Sequence, residues 1–223
     1  MKKAMDDDNT PELSRLIDGY RRFRNVGWTP HRERWNELRE GQQPEVMIIA
    51  CSDSRVDPAQ IFDVAPGEMF ILRNVAALVP PFETTPGHHG VSAALEFAVQ
   101  VLKVKEIVVM GHGLCGGCKA ALTQELHGTS PGEGGFIADW IGLLDDARHP
   151  IVSEMGTEGR TAERAMEHAA VRVSLDNLRS FPCIRRGERD GTLKLRGAFF
   201  AISDGVLHIL DEASGAFYPV PHE

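Results

Sequence analysis

The sequence has no apolar run approaching the ~20 residues that cross a bilayer, so no membrane partner is expected. It has no basic run and no basic stripe interleaved with aromatics, and its formal net charge is -8, which argues against nucleic acid as a partner. The stretch from Met1 to Asp8 has no apolar h-region, so a secretory signal is not expected. Cysteine is scarce, with four in 223 residues, and two of the four stand beside other metal-type residues. That fits a reducing compartment better than a disulfide framework, and the expected location is cytoplasmic. Internal repeats and low-complexity blocks are absent as well. What remains is a chain with 42% hydrophobic residues, long enough for one sizeable domain with a real core.

Residues 1–9 are polar and expected to fray. Helical periodicity follows: Leu13, Leu16, Ile17, Tyr20 and Phe23 share a face, Gly27 and Pro30 interrupt it, and a second helix runs to about Leu38. This N-terminal helical arm, residues 1–40, has no strand of its own and is expected to lie over a neighbouring subunit. Residues 41–223 then alternate between strand and helix. Strands are predicted at 46–50, 69–73 and 106–110, and helices at 58–63, 88–102, 117–127, 136–148 and 160–180. Alternation of this kind implies a mostly parallel central sheet with flanking helices. The tail closes with a hairpin, Leu193 to Ile202 and Val206 to Leu210 around Ser203-Asp204-Gly205, giving an antiparallel edge strand. Arg185 to Arg189 read as a solvated loop, and Cys183 as a packed loop thiol.

The chemistry gathers at two strand ends. Cys51, Asp53 and Arg55 follow the apolar run 46–50, and His112 and Cys115 follow the run 106–110. In an open α/β sheet, sites are built at the carboxyl ends of strands. Two thiolates and one imidazole leave one position free on a tetrahedral zinc, which is the composition of a catalytic site rather than a closed structural one. Gly111, Gly113, Gly116 and Gly117 allow tight turns around the ligands. An arginine within reach keeps Asp53 ionised. Asp53 then either takes the fourth zinc position or pairs with Arg55 and accepts a hydrogen bond from zinc-bound hydroxide.

Cys51 to Val56 read Cys-Ser-Asp-Ser-Arg-Val, Arg73 to Val75 read Arg-Asn-Val, and Gly111 to Gly117 read Gly-His-Gly-Leu-Cys-Gly-Gly. Together with Pro66-Gly67-Glu68 and Ala169 to Leu178, these motifs resemble the β-class carbonic anhydrases from about Gly41 to Gly205. The resemblance implies reversible hydration of carbon dioxide to bicarbonate and a proton, with a zinc-bound hydroxide as nucleophile. It assigns Cys51, His112 and Cys115 as ligands of one Zn2+ per chain, and Asp53 and Arg55 as the catalytic dyad. Gly41-Gln42-x-Pro44 resembles the plant-type branch, in which the glutamine donates to substrate. Phe70, Val75 and Phe97 correspond to an apolar wall for carbon dioxide. A homodimer or homotetramer is expected on the same ground. Another branch binds bicarbonate in a regulatory pocket with Trp, Arg and Tyr. Ile48, Arg73 and Phe200 stand at those positions, so that regulation is not expected.

Other readings of the same residues exist. A related zinc enzyme hydrolysing carbon disulfide or carbonyl sulfide can share the ligand set. A zinc protein without turnover needs neither Asp53, Arg55 nor Gln42. A thiol redox protein would use Cys115 with Cys118, but Cys118 is predicted to face the core from a helix. His88 and His89 either begin a helix or carry protons. Asp57 is a candidate cap for a helix starting at Pro58. His31, His127, His149, His168, His208 and His222 lack metal-type companions and read as surface or structural residues. Two thiolates offset the charge of the metal, so activity is expected to rise through mildly alkaline pH.

Overall fold

The computed structural model describes residues 10–221. The expectations for residues 1–9 and for His222 lie outside the described residues. The described residues fall into two compact units, one ending at Gln42 and one beginning at Gln43.

In the first unit, α1 (Pro11–Phe23) begins where the Thr10 hydroxyl accepts from the Leu13 amide and Pro11 fills the first helical position. A wide helical turn, Arg24–Trp28, replaces the simple break predicted at Gly27, and α2 spans Arg32–Leu38. Phe23 meets Trp35 edge-on at 5.9 Å. Leu16, Tyr20 and Val26 stay exposed.

The second unit is built on one six-stranded sheet. Its elements are β1 (Val46–Cys51), α3 (Pro58–Ile61), β2 (Met69–Asn74), α4 (Gly90–Glu96, continued by a wide turn Phe97–Leu102), β3 (Glu106–His112), α5 (Gly116–Thr123), α6 (Gly135–Ile141), α7 (Asp145–Met155), α8 (Arg160–Leu178), α9 (Pro182–Arg189), β4 (Lys194–Ala201), β5 (Val206–Asp211) and β6 (Ala216–Pro219). The strand order is β2-β1-β3-β4-β5-β6. The first four strands run parallel, and β5 and β6 return antiparallel. All of β1 after Val46 is buried, which is why its sequence is a continuous apolar run rather than an alternation. From β1 the chain moves outward to β2, then crosses back to β3 on the other side. The carboxyl ends of β1 and β3 therefore flank the point where the winding reverses, the usual place for a ligand in such sheets.

Alternate residues of β1 face two different cores. Met47 and Ile49 join Leu95, Val109, Val171, Leu175 and Phe181 in the larger cluster. Cys51 continues that face into a second cluster with Val56, Cys115, Cys118, Leu122 and Met166. Ile48 and Ala50 face the other way, with Met110 and Ala198. The long helix α8 lies close to β3 because Gly111 has no side chain: a Cβ there would come within 2.7 Å of Val171. Three residues earlier on α8, His168 stacks on Phe217 at 4.2 Å and meets Phe199 edge-on at 4.6 Å.

Four local expectations are corrected. The helix predicted at 136–148 is two helices, separated by a tight turn at Gly142–Leu144 that buries Leu144. The helix after Cys115 stops at Thr123, with Gln124 in the left-handed region at φ 54°. Arg185 to Arg189 are not a loop but the last turns of α9, which Pro182 starts and which buries Ile184 and Gly187. Cys183 is therefore a helical residue, half-buried against the larger core. Beyond the predicted hairpin, β6 supplies the outermost strand.

Candidate metal centre

Cys51 ends β1, His112 ends β3, and Cys115 stands immediately before α5. Their ligating atoms all lie within 4.8 Å of one another, and all three residues are buried. The His112 Nδ1 faces the Gly113 carbonyl at 2.9 Å. With that nitrogen donating, Nε2 carries the lone pair, and it is buried without a hydrogen-bond partner. A buried, unpartnered imidazole nitrogen facing two thiols calls for a cation. Zinc, with ligands at about 2.0–2.3 Å, suits this donor set.

The electrostatics agree. The Cys51 thiol is pushed up to about 12, first by its hydrogen bond with Cys115 and then by burial. Cys115 is pushed up to about 12 chiefly by its hydrogen bond with Cys118, with burial adding to it. Burial acts to lower the His112 pKa, but the Cys51 thiol and the charge of Asp53 raise it on balance. Such thiols ionise only beside a strong positive charge. Cys118 lies in α5 and faces the core as expected, and all four cysteines are free.

The dyad residues are paired. The Arg55 guanidinium donates to both Asp53 oxygens, Nε to Oδ1 at 2.9 Å and Nη2 to Oδ2 at 2.6 Å, and the Arg55 amide adds a bond to Oδ1 at 2.9 Å. The hydrogen bonds from Arg55 hold the Asp53 carboxyl well below the usual carboxylate range. Arg55 Nη2 also reaches the Leu114 carbonyl at 3.0 Å, tying the β1 loop to the β3 loop.

Arg73, on the neighbouring strand β2, underpins the whole loop. It donates to the Cys51 carbonyl at 2.9 Å and the Asp53 carbonyl at 2.7 Å, and it pairs with Asp57 at 3.1 Å. Asp57 meanwhile caps α3, as predicted, accepting from the Ala59 and Gln60 amides. Ile48 and Phe200, the other two positions compared with a regulatory pocket, pack in one apolar cluster.

Val75 begins a strained turn directly after Asn74, the register partner of Cys51. Ala76 and Ala77 both have positive φ, 62° and 55°. A left-handed alanine costs about 1–2 kcal/mol. The turn persists because the Asn74 side chain bridges the Leu78 amide and carbonyl, Trp140 donates to the Val75 carbonyl, and Ser174 donates to the Ala77 carbonyl. Phe70 pairs in register with Met47, four residues before Cys51. At ~3.3 Å per residue that is about 13 Å toward the opposite end of the strand. Phe97 lies against it, ring centroids 5.8 Å apart. One chain therefore places Val75 beside the metal ligands but not the Phe70–Phe97 pair. Gln42 is exposed and closes the N-terminal unit. Both ring nitrogens of His89 are engaged, by the Thr85 carbonyl at 2.7 Å and by Glu83 at 3.4 Å, while His88 is exposed.

Arg73 and Asn74, noted in the sequence as part of the Arg-Asn-Val motif, brace the site together with Trp140 and Glu167, which the sequence reading did not mark. Glu167 alone leaves a signal: it is a carboxylate on the buried stripe of α8, between Met166 and Ala170.

Fold and donor set together define an α/β metalloenzyme. A family model described as carbonic anhydrase matches residues 46–207. β carbonic anhydrase 3 of Arabidopsis thaliana is 34% identical over 210 residues, covering 93% of this chain and 80% of that protein. The solved β-carbonic anhydrase CcaA superposes with a TM-score of 0.86 at 30% identity, over 94% of this chain and 100% of that one. A β-carbonic anhydrase of Sordaria macrospora, described as tetrameric, superposes with a TM-score of 0.75 at 29% identity, over 89% and 95% of the two chains. The chain belongs to the β-carbonic anhydrases, a zinc-dependent family of lyases. Among the described residues, no helix is long and apolar enough to cross a membrane.

Proposed function

We propose that this chain hydrates carbon dioxide reversibly to bicarbonate and a proton at the centre formed by Cys51, His112 and Cys115. The observation that carries the reading is the unpartnered His112 Nε2 facing two thiols, with the ionised Asp53–Arg55 pair beside them. Zinc, when bound, supplies the Lewis acidity that makes water a nucleophile near neutral pH. Arg55 fixes the direction of the Asp53 carboxylate. Asp53 accepts a hydrogen bond from the attacking water and aims its lone pair at the substrate carbon. Its depressed pKa makes it a poor proton store, so it orients the nucleophile rather than keeping the released proton. That proton passes to solvent.

Val75 presents an apolar edge to the substrate, and Gln42 donates to the substrate oxygen on which negative charge develops. The position of Phe70 and Phe97 along the sheet supports a reading in which they serve the centre of a second copy, within a homodimer or homotetramer. A cytoplasmic, reducing setting keeps Cys51 and Cys115 available as ligands.

The test is stopped-flow hydration of carbon dioxide at about pH 8.5, on protein of known zinc content, beside Asp53→Ala and beside carbon disulfide as substrate. Fast hydration that falls about a hundredfold or more in the variant supports the reading. Turnover of carbon disulfide alone, or full zinc with no turnover, overturns it.

A further inference from the structure

Leu114 is the residue between the two ligands His112 and Cys115 that faces neither core. It has a φ of 59°, a left-handed conformation that a leucine adopts only when something holds it there. Its peptide groups are held on both sides. The amide donates to Glu167 Oε1 at 2.7 Å, and the carbonyl accepts from Arg55 Nη2 at 3.0 Å. Glu167 reaches across from α8 and is 2% exposed. Its charge is balanced by Arg160, at 3.3 Å from Oε1, and by Arg164, at 3.4 Å from Oε2. A buried carboxylate with two arginines behind it and one backbone amide in front of it has a fixed direction. The interactions that fix it come from α8, an element that contributes no ligand.

We propose that Glu167 is a positioning residue for the hydration reaction: by holding Leu114 in its left-handed turn, it points the Leu114 carbonyl at Arg55 and so sets the direction of the Asp53–Arg55 pair. The path runs Glu167 to Leu114 amide, Leu114 carbonyl to Arg55, and Arg55 to Asp53, each step a hydrogen bond of 3.0 Å or less. When Glu167 is removed, Leu114 relaxes toward an ordinary φ, its carbonyl turns away, and the Arg55 guanidinium loses the anchor that keeps it from swinging to solvent. The ligands themselves depend on β1, β3 and the start of α5, so zinc stays bound. This inference rests on the proposed hydration reaction, and its test separates the two.

The experiment compares Glu167→Gln, Glu167→Ala and the parent protein, each with its zinc content determined. Two quantities are read: kcat per zinc for carbon dioxide hydration, and hydrogen exchange of the backbone segment 112–116. Glutamine keeps an acceptor oxygen and alanine does not. The expected order of kcat per zinc is parent, then Gln, then Ala, with Ala down about tenfold or more, the worth of one charge-assisted hydrogen bond. KM changes little, and exchange at 112–116 quickens in the same order. Leu114→Gly supplies a second arm, since glycine adopts the left-handed turn without help. In that background Glu167→Gln and Glu167→Ala cost less than threefold. Parent-like kcat per zinc together with parent-like exchange in Glu167→Ala overturns the proposal. So does an undiminished Glu167 penalty in the Leu114→Gly background. If the parent hydrates no carbon dioxide, the hydration reading fails, while the exchange measurement still decides whether Glu167 holds Leu114.

Discussion

Lowering the pH from about 7.5 to about 5 costs this protein stability through one histidine. His168 lies against Phe217 and Phe199, and its Nε2 is buried with no hydrogen-bond partner. Burial first, then the positive charges of Arg164 and Arg172 and the neighbouring His208, push its pKa from 6.5 down to about 4. Between those values the unfolded chain binds the proton that the folded chain refuses. The contribution of His168 is thus fully present above its unfolded pKa and is lost as the pH falls toward the folded one. With these two pKa values, linkage gives a loss of about 2 kcal/mol on reaching about pH 5. The ring is partly exposed, and solvent screening reduces the figure to about 1 kcal/mol. His168→Phe keeps an aromatic ring in the stack and has no proton to gain. Urea unfolding of both zinc-loaded proteins at the two pH values isolates the effect, because every other titrating group is common to both. The parent is expected to lose about 1 kcal/mol more than the variant. Equal losses in the two proteins refute the reasoning.

Other perturbations probe the centre itself. Asn74→Ala removes two of the four hydrogen bonds that brace the left-handed Ala76–Ala77 turn, and it lowers stability by about 2–3 kcal/mol in chemical unfolding. Gly117→Val drives a Cβ to within 2.8 Å of Val75 Cγ1 and 3.1 Å of Ala76 Cβ. Overpacking there costs about 1–3 kcal/mol and moves Val75, so thermal stability and the hydration rate fall together. Because two thiolates offset the charge of the metal, the hydration rate rises between about pH 6.5 and pH 9. Asp53 stays ionised throughout that range and adds nothing to the rise. A flat profile contradicts this.

The strands that carry the ligands were legible because they are buried on both faces. A central parallel strand cannot alternate, so Val46 to Ala50 and Glu106 to Met110 stand out as short apolar runs stopped by turn residues. Cys51, His112 and Cys115 were legible because they gather just past the carboxyl ends of these two runs. The division between α6 and α7 was not, since a single Gly142 inside a helical pattern carries only a weak local penalty. The arginines of α9 read as solvated because that helix fully buries just Ile184 and Gly187. Glu167 and Arg73 act through contacts 53 and about 20 residues away in sequence, which periodicity does not report. The position of Phe70 was set by register: its type suits a substrate wall, but its pairing with Met47 puts it at the other end of the sheet.

Arg73 carries a lesson for anyone scanning variants of this enzyme by activity. One guanidinium anchors the peptide of Cys51, the peptide of Asp53 and the cap of α3. A scan scored on turnover alone will rank it with Cys51 and Asp53, and lysine, with a single ammonium in place of a planar fork, will not rescue it. Such a scan measures how many tasks a side chain shares, and only a parallel readout of zinc content and fold separates that from participation in the chemistry.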